Sequence, residues 1–332
     1  MNIHLAGLWY PSNSNVKEVF KTETIGYNMN LYNAGGGTLG LKNKECEMNF
    51  YAAGTDMNTN KDKDYEMNFY AAAIGYNKDG KILEETISKG LRKRLLSYID
   101  RDAVKGAFEF WLNPKLKDKK FFLDSGAYSA FTRGIKIDIN EYIKFVHKHK
   151  NELTVYANLD VIGDGVKSEQ NLQYIESHGL HPLPVYTASA PISELSRLCE
   201  KYNYIALGGL VGGGGVVLKH LDRCFSVIKK YFPMKIHLFG ITSQKVLERY
   251  PVYSCDSSSA IMGGGMGRVM EFKNGKMESC LWRKSETTGK HLNCRDKDGS
   301  AHLQRRITNI KAMLKLEKHL TELWKRRSIT WD

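Results

Sequence analysis

The sequence predicts a (β/α)8 barrel of the TIM type, an α/β fold, with a repeat-containing N-terminal extension before it and a basic C-terminal helix after it. Three observations carry that prediction. From residue 67 onward, eight short apolar runs alternate with helix-like segments, and eight is the strand count of a closed parallel barrel. Alternation of this kind demands parallel strands with right-handed crossovers, which leaves a closed barrel or an open doubly wound sheet. The glycine-rich turn falls late, at 208–215 after the sixth run, whereas a dinucleotide-binding sheet turns on glycine after its first strand.

The N-terminal quarter repeats itself. MNIHLAG starts at Met1, MNLYNAG at Met29, MNFYAAG at Met48 and MNFYAAA at Met67. Each copy has the apolar and aromatic character of a short strand that ends on small residues. The first three copies are assigned to an extension over residues 1–66, as edge hairpins or an appendage, or as a presented binding surface. The fourth opens the barrel, residues 67–270, and residues 271–332 form a C-terminal segment.

The predicted strands are 67–73, 94–99, 120–124, 154–160, 181–186, 204–209, 235–240 and 252–256. Between them, Asp138-Ile-Asn-Glu141 reads as a capping box, and Pro191 stands near the first turn of a helix. Leu221, Phe225 and Ile228 share one face of a helix over 220–232. The last helix candidate, 301–327, places Leu303, Ile307, Ile310, Leu314, Leu320 and Trp324 near one face. Arg305, Arg306, Lys311, Lys315, Lys318, Lys325 and Arg326 are expected on the other, as a solvated face or a phosphate contact.

The chain of 332 residues carries 49 Lys plus Arg against 36 Asp plus Glu, a net charge of +13 that favours a polyanionic partner, nucleic acid first. Six scattered cysteines with no CxxC pair predict reduced thiols rather than a disulfide scaffold. No stretch reaches the roughly 18 consecutive apolar residues of a membrane span, and the first residues lack a secretory pattern. A cytoplasmic protein with no membrane partner is expected.

In a barrel the active site collects at the C-terminal ends of the strands. Those ends read Asp124-Ser-Gly, Asn158-Leu-Asp160, Gly208-Gly209-Leu210, Gly240-Ile-Thr242 and Asp256-Ser-Ser. A single acid after a strand is usually a helix N-cap. Three such acids, each following an apolar run, point instead to a shared basin, and paired carboxylates suit glycosidic chemistry. The turn LGGLVGGGG matches neither GxGxxG before a helix nor GxxxxGK[ST], so no nucleotide cofactor is expected. Cys255 and His237 read as buried core residues, and Tyr128, Tyr156 and Phe239 as core or as stacking surfaces for a base.

In their order, DSGAYSAF, YANLD, ALGGL, HLFGI and a last strand ending in Asp resemble the barrel of tRNA-guanine transglycosylases and their phage-type DNA-guanine relatives. The resemblance spans roughly residues 67–265. It implies that Asp256 is the carboxylate nucleophile on the sugar C1′ and that Asp124 supports proton transfer. It also implies that Asp160 reads the guanine edge and that Gly208, Gly209 and Leu210 contact the base through backbone. Ser125, Gly126 and Gly240 complete the expected substrate-binding set. Implied partners are DNA, ahead of tRNA, and a free 7-deazaguanine base, in a host cytoplasm if the gene is phage-borne.

The family's CxCxxC zinc cluster is missing, since Cys280, His291, Cys294 and His302 are spaced differently, so no metal is expected. SSSAIMGGGMGR replaces the arginine-bearing segment after the nucleophile, and Ala127 replaces a second glycine after Asp-Ser-Gly. Alternatives left open are a hydrolytic glycosylase that leaves an abasic site, a non-catalytic nucleic-acid-binding barrel, and a phosphate-binding barrel acting on a small metabolite.

Overall fold

A computed structural model describes residues 66–72, 84, 91–210, 215–281 and 300–331. The repeat copies at Met1, Met29 and Met48 lie outside the described residues, and the copy at Met67 forms the first strand. The strands are β1 (Asn68–Ala71), β2 (Lys93–Ser97), β3 (Lys120–Asp124), β4 (Val155–Tyr156), β5 (Val185–Thr187), β6 (Tyr204–Gly208), β7 (Lys235–Leu238) and β8 (Ser254–Ser257). They form one parallel sheet in the order β4-β3-β2-β1-β8-β7-β6-β5. A parallel bridge between Ala157 and Leu183 joins the two ends, so the sheet closes into the predicted (β/α)8 barrel.

Helices lie in the crossovers, α1 (Lys105–Trp111), α2 (Ala127–Arg133), α3 (Ile139–His149), α4 (Gly165–Ser177), α5 (Ile192–Lys201), α6 (Gly215–Ile228) and α7 (Gln244–Arg249), and two more follow β8, α8 (Ser259–Gly265) and α9 (Ser300–Arg326). An antiparallel hairpin, β9 (Arg268–Lys273) and β10 (Lys276–Leu281), separates α8 from α9. Asp138 caps α3 as the sequence predicts, its carboxylate accepting the amides of Asn140 and Glu141 at 2.8 and 3.3 Å. Leu221, Phe225 and Ile228 are fully buried on α6.

The period of two along each strand divides the core. Tyr70, Leu95, Phe122, Ala157, Leu183, Val185 and Ala206 fill the barrel, while Phe121, Leu123, Ile205, Leu207, Ile236 and Leu238 face the helices. The strands predicted at 154–160 and 181–186 are the most shortened, to Val155–Tyr156 and Val185–Thr187. Pro184 has no N–H for a ladder, and beyond Tyr156 the pairing thins to the Ala157–Leu183 bridge and the Asn158 amide on the Leu183 carbonyl at 2.9 Å.

The C-terminal helix corrects one expectation. Arg305 and Arg306 are buried rather than part of a solvated basic face. The cause is the end of α8, whose last carbonyls need donors: Arg305 Nε reaches the Gly264 carbonyl at 2.8 Å. A side chain at Gly264 would put its Cβ 2.7 Å from the Arg306 amide, so glycine permits the close approach. Lys311, Lys315, Lys318, Lys325 and Arg326 remain exposed. Ile310, Leu320 and Trp324 are buried as predicted, whereas Leu303, Ile307 and Leu314 are half-buried and Met313 and Leu316 take the centre of the apolar face.

One partly buried and one fully buried ionic contact tie the barrel wall. Glu317 of α9 accepts the Phe69 amide at 2.9 Å and pairs with Lys93 at 2.7 Å, bracing the short β1–β2 joint. Glu84 pairs with Arg94 at 2.7 Å and accepts the Trp111 indole N–H at 2.6 Å, with all three side chains inaccessible to solvent. Among the described residues, no helix is long and apolar enough to cross a membrane.

Candidate active site at the mouth of the barrel

Of the three acids singled out by the sequence, Asp124 ends β3, Asp256 lies on β8 and Asp160 lies in the loop after β4, and none of them caps the helix that follows. On β3, Phe122 points into the barrel, so strand alternation points Asp124 inward as well. The N-cap of α2 is Gly126, that of α4 is Asp164, and that of α8 is Ser258. Asp124, Asp160 and Asp256 are thus left for something other than helix termination.

Local geometry holds Asp124 in place. Gly126 has φ +81°, and a Cβ there would lie 2.6 Å from Ile99 Cγ2 and from Ser97 Oγ. Only glycine makes that turn without collision, which fixes the chain directly after the acid. Burial raises the Asp124 pKa to about 6, and the negative charge of Asp256 adds to the shift. The Gly126 amide and the Ser97 hydroxyl, both beside the carboxyl, pull the other way. Asp160 is held well above the ordinary carboxylate range, first by burial and then by the charge of Asp124, against a hydrogen bond from Asn158. Asp124 interacts electrostatically with both of the other acids, so the three share one basin.

Asp256 sits in a polar cradle inside the barrel wall. Its Oδ1 accepts the Gly240 amide at 2.9 Å and faces His237 Nε2 at 3.3 Å. The other ring nitrogen, Nδ1, is 2.7 Å from Ser254 Oγ, which is 2.6 Å from the Tyr204 hydroxyl. His237 is fully buried between Phe122 and Phe239, with ring centroids at 4.7 and 4.6 Å. Burial lowers its pKa, so the ring is neutral at pH 7.

The remaining predicted residues divide. Ser125 is buried behind Asp124. The Gly208 carbonyl accepts the Ala188 amide at 3.2 Å, and Gly209, with φ +72°, is exposed. Leu210 buries its side chain in the outer core, leaving only backbone for a ligand. The Gly240 amide is taken up by Asp256, which makes Gly240 a support for the acid. Residues 211–214 of the glycine turn lie outside the described residues.

Tyr128 is exposed at the start of α2, the Tyr156 hydroxyl accepts the His181 amide at 2.6 Å, and Phe239 packs in the barrel. Cys255 is fully buried, and its thiol is pushed well above its ordinary value by burial. Among the described residues, no three His, Cys, Asp or Glu side chains are grouped to hold a metal ion. His291 and Cys294 lie outside the described residues.

The sequence reading missed the functional position of His237, Ser254 and Tyr204. Register was the available signal: His237 lies two residues before Phe239 and Ser254 two before Asp256, and the strands pair His237 opposite Ser254.

No family model matches the chain, and no curated protein does. Among solved structures, the chain is similar to the tryptophan synthase alpha subunit of Campylobacter jejuni at 14% identity, over 59% of this chain and 88% of that one, with a TM-score of 0.40. A variant alpha subunit from Pyrococcus furiosus gives 10% identity, 76% and 99% coverage and a TM-score of 0.46. A protein from Aquifex aeolicus VF5 gives 10%, 78% and 92%, and 0.45. None of these three is described as a transglycosylase, and likeness at this level carries nothing about chemistry.

Proposed function

We propose that the protein cleaves the N-glycosidic bond of a guanine in DNA, with tRNA the second choice of polymer, and inserts a 7-deazaguanine base through a covalent intermediate on Asp256. The observation that carries this reading is the arrangement of Asp256. It is gripped on one oxygen by the Gly240 amide and His237, within electrostatic reach of Asp124, which is itself coupled to Asp160. The order of motifs along the chain and the net charge of +13 support it.

In the first step an Asp256 oxygen bonds to C1′ as the C1′–N9 bond breaks, and the electron pair leaves with the base. Asp124, with a pKa of about 6, holds a proton in a minor fraction of molecules at pH 7 and is a carboxylate in the rest. It protonates the departing guanine and then takes a proton from the incoming base, whose N9 attacks C1′ and releases Asp256. Asp160 reads the base edge, where an ionised carboxylate accepts N1–H and N2–H together. The target nucleotide must leave the duplex stack, at about a few kcal/mol, offset by phosphate contacts and the pocket.

The test is a duplex with a labelled guanine, incubated with and without a 7-deazaguanine base. Donor-dependent loss of label from an intact strand is expected, with a covalent complex in wild type and none in Asp256→Asn at unchanged duplex affinity. Alkali-labile sites formed without donor point to the hydrolytic reading. Equal binding with no reaction at any base overturns the enzymatic one.

A further inference from the structure

We infer that Tyr204, Ser254 and His237 form a neutral chain of donors, running in one direction, that positions Asp256 by holding Oδ1 and leaving Oδ2 as the atom that bonds to the sugar. The inference rests on the reading of Asp256 as nucleophile.

A carboxylate only accepts, so the proton between it and His237 belongs to Nε2. A neutral imidazole has one N–H, which leaves Nδ1 as an acceptor. The group beside Nδ1 is Ser254 Oγ at 2.7 Å, so the serine hydroxyl donates to the ring. With its proton committed, Ser254 Oγ accepts at 2.6 Å from Tyr204, whose hydroxyl is the donor at the far end.

One assignment therefore satisfies all three contacts in the barrel interior, and the Gly240 amide adds a second donor at Oδ1. Asp256 Oδ2 has no hydrogen-bond partner among the described residues. An imidazolium would reverse the chain, because Nδ1–H would need the serine oxygen as acceptor. The packed rings of Phe122 and Phe239 resist that charge.

The grip serves both halves of the reaction. Before attack, two donors on one oxygen fix the plane of the carboxylate and so the direction of Oδ2. In the ester, Oδ2 is bonded to C1′ and Oδ1 is the carbonyl oxygen, still accepting from Gly240 and His237. When the incoming base breaks the C1′–Oδ2 bond, the electron pair returns to a carboxylate whose donors are already in place.

Three measurements on the full-length protein test this. Nitrogen-15 NMR of wild type should show His237 protonated at Nε2 and bare at Nδ1; a proton on Nδ1 overturns the chain. Single-turnover formation of the covalent complex on a guanine duplex should slow about 100-fold in His237→Phe, with duplex affinity unchanged. It should recover to within about tenfold of wild type in His237→Gln, whose amide N–H stands in for Nε2–H. Equal rates for His237→Phe and wild type overturn the positioning role, as does a His237→Gln rate no better than that of His237→Phe. If wild type forms no covalent complex, the proposed function fails, while the NMR result still decides the direction of the chain.

Discussion

Asp124 is held in a charge state the fold disfavours, and that has a measurable cost. Its pKa rises from 3.8 to about 6, about two units, which corresponds to roughly 3 kcal/mol between the two protonation states. The figure is an upper limit, because part of the residue is open to the mouth and solvent screens it. The sign follows from proton binding. Between pH 3.8 and about 6 the folded protein binds more protons than the unfolded chain, so this contribution is complete below pH 3.8 and lost as pH rises through about 6. At pH 7 the ionised acid therefore destabilises the fold. Asp124→Asn removes the charge and keeps an oxygen to face the Gly126 amide. It should raise the melting temperature at pH 7 by up to roughly 5 °C while removing turnover. Thermal melts at pH 7 and pH 4 check this, since the gap should close at the lower pH. A variant less stable than wild type at pH 7, or a gap independent of pH, refutes the reasoning.

Other perturbations follow from the same contacts. Burial holds the Asp160 carboxyl well above its ordinary range in the empty site, whereas accepting two guanine N–H groups requires the ionised form, so base binding should release protons; calorimetry in two buffers of different ionisation enthalpy reads it, and equal enthalpies refute it. Gly126→Ala should cost at least about 2 kcal/mol in chemical denaturation, because the substitution meets both a positive φ and the 2.6 Å approach of Ile99 and Ser97. Glu84→Ala strands the Arg94 guanidinium and the Trp111 indole in the core and should cost about 3 to 5 kcal/mol, whereas Lys144→Ala, which breaks an exposed pair on α3, should cost less than about 1 kcal/mol.

Most of the fold was legible because each barrel strand is a short apolar run bounded by polar or glycine-rich sequence. Each of the eight predicted runs overlaps one strand of the sheet. The acids of the site were legible for a related reason: an acid directly after such a run stands out, and the helix caps turned out to be other residues. What escaped was anything set by contact across the fold. A basic stripe on α9 looks solvated until the carbonyls of Gly264 and Gly265 are brought against Arg305 and His302. His237 looks like a core residue until β7 and β8 are in register, because Ser254 and Asp256 lie 17 and 19 positions away in sequence. Hydropathy marks which residues go inside and is silent on which of them meet.

The brace at Glu317 also bears on how the molecule assembles. Strand β1 pairs with β8, and the amides of Met67, just before it, and of Phe69, within it, are met by Thr321 and Glu317, across sequence separations of 254 and 248 residues. During synthesis the first strand therefore emerges long before most of what completes it, and its apolar face waits while seven further strands are made. Contacts of such separation slow folding and leave intermediates with unpaired strand edges. The last helix acts as a latch, and a chain halted before it would present the ribosome's surroundings with an open cylinder.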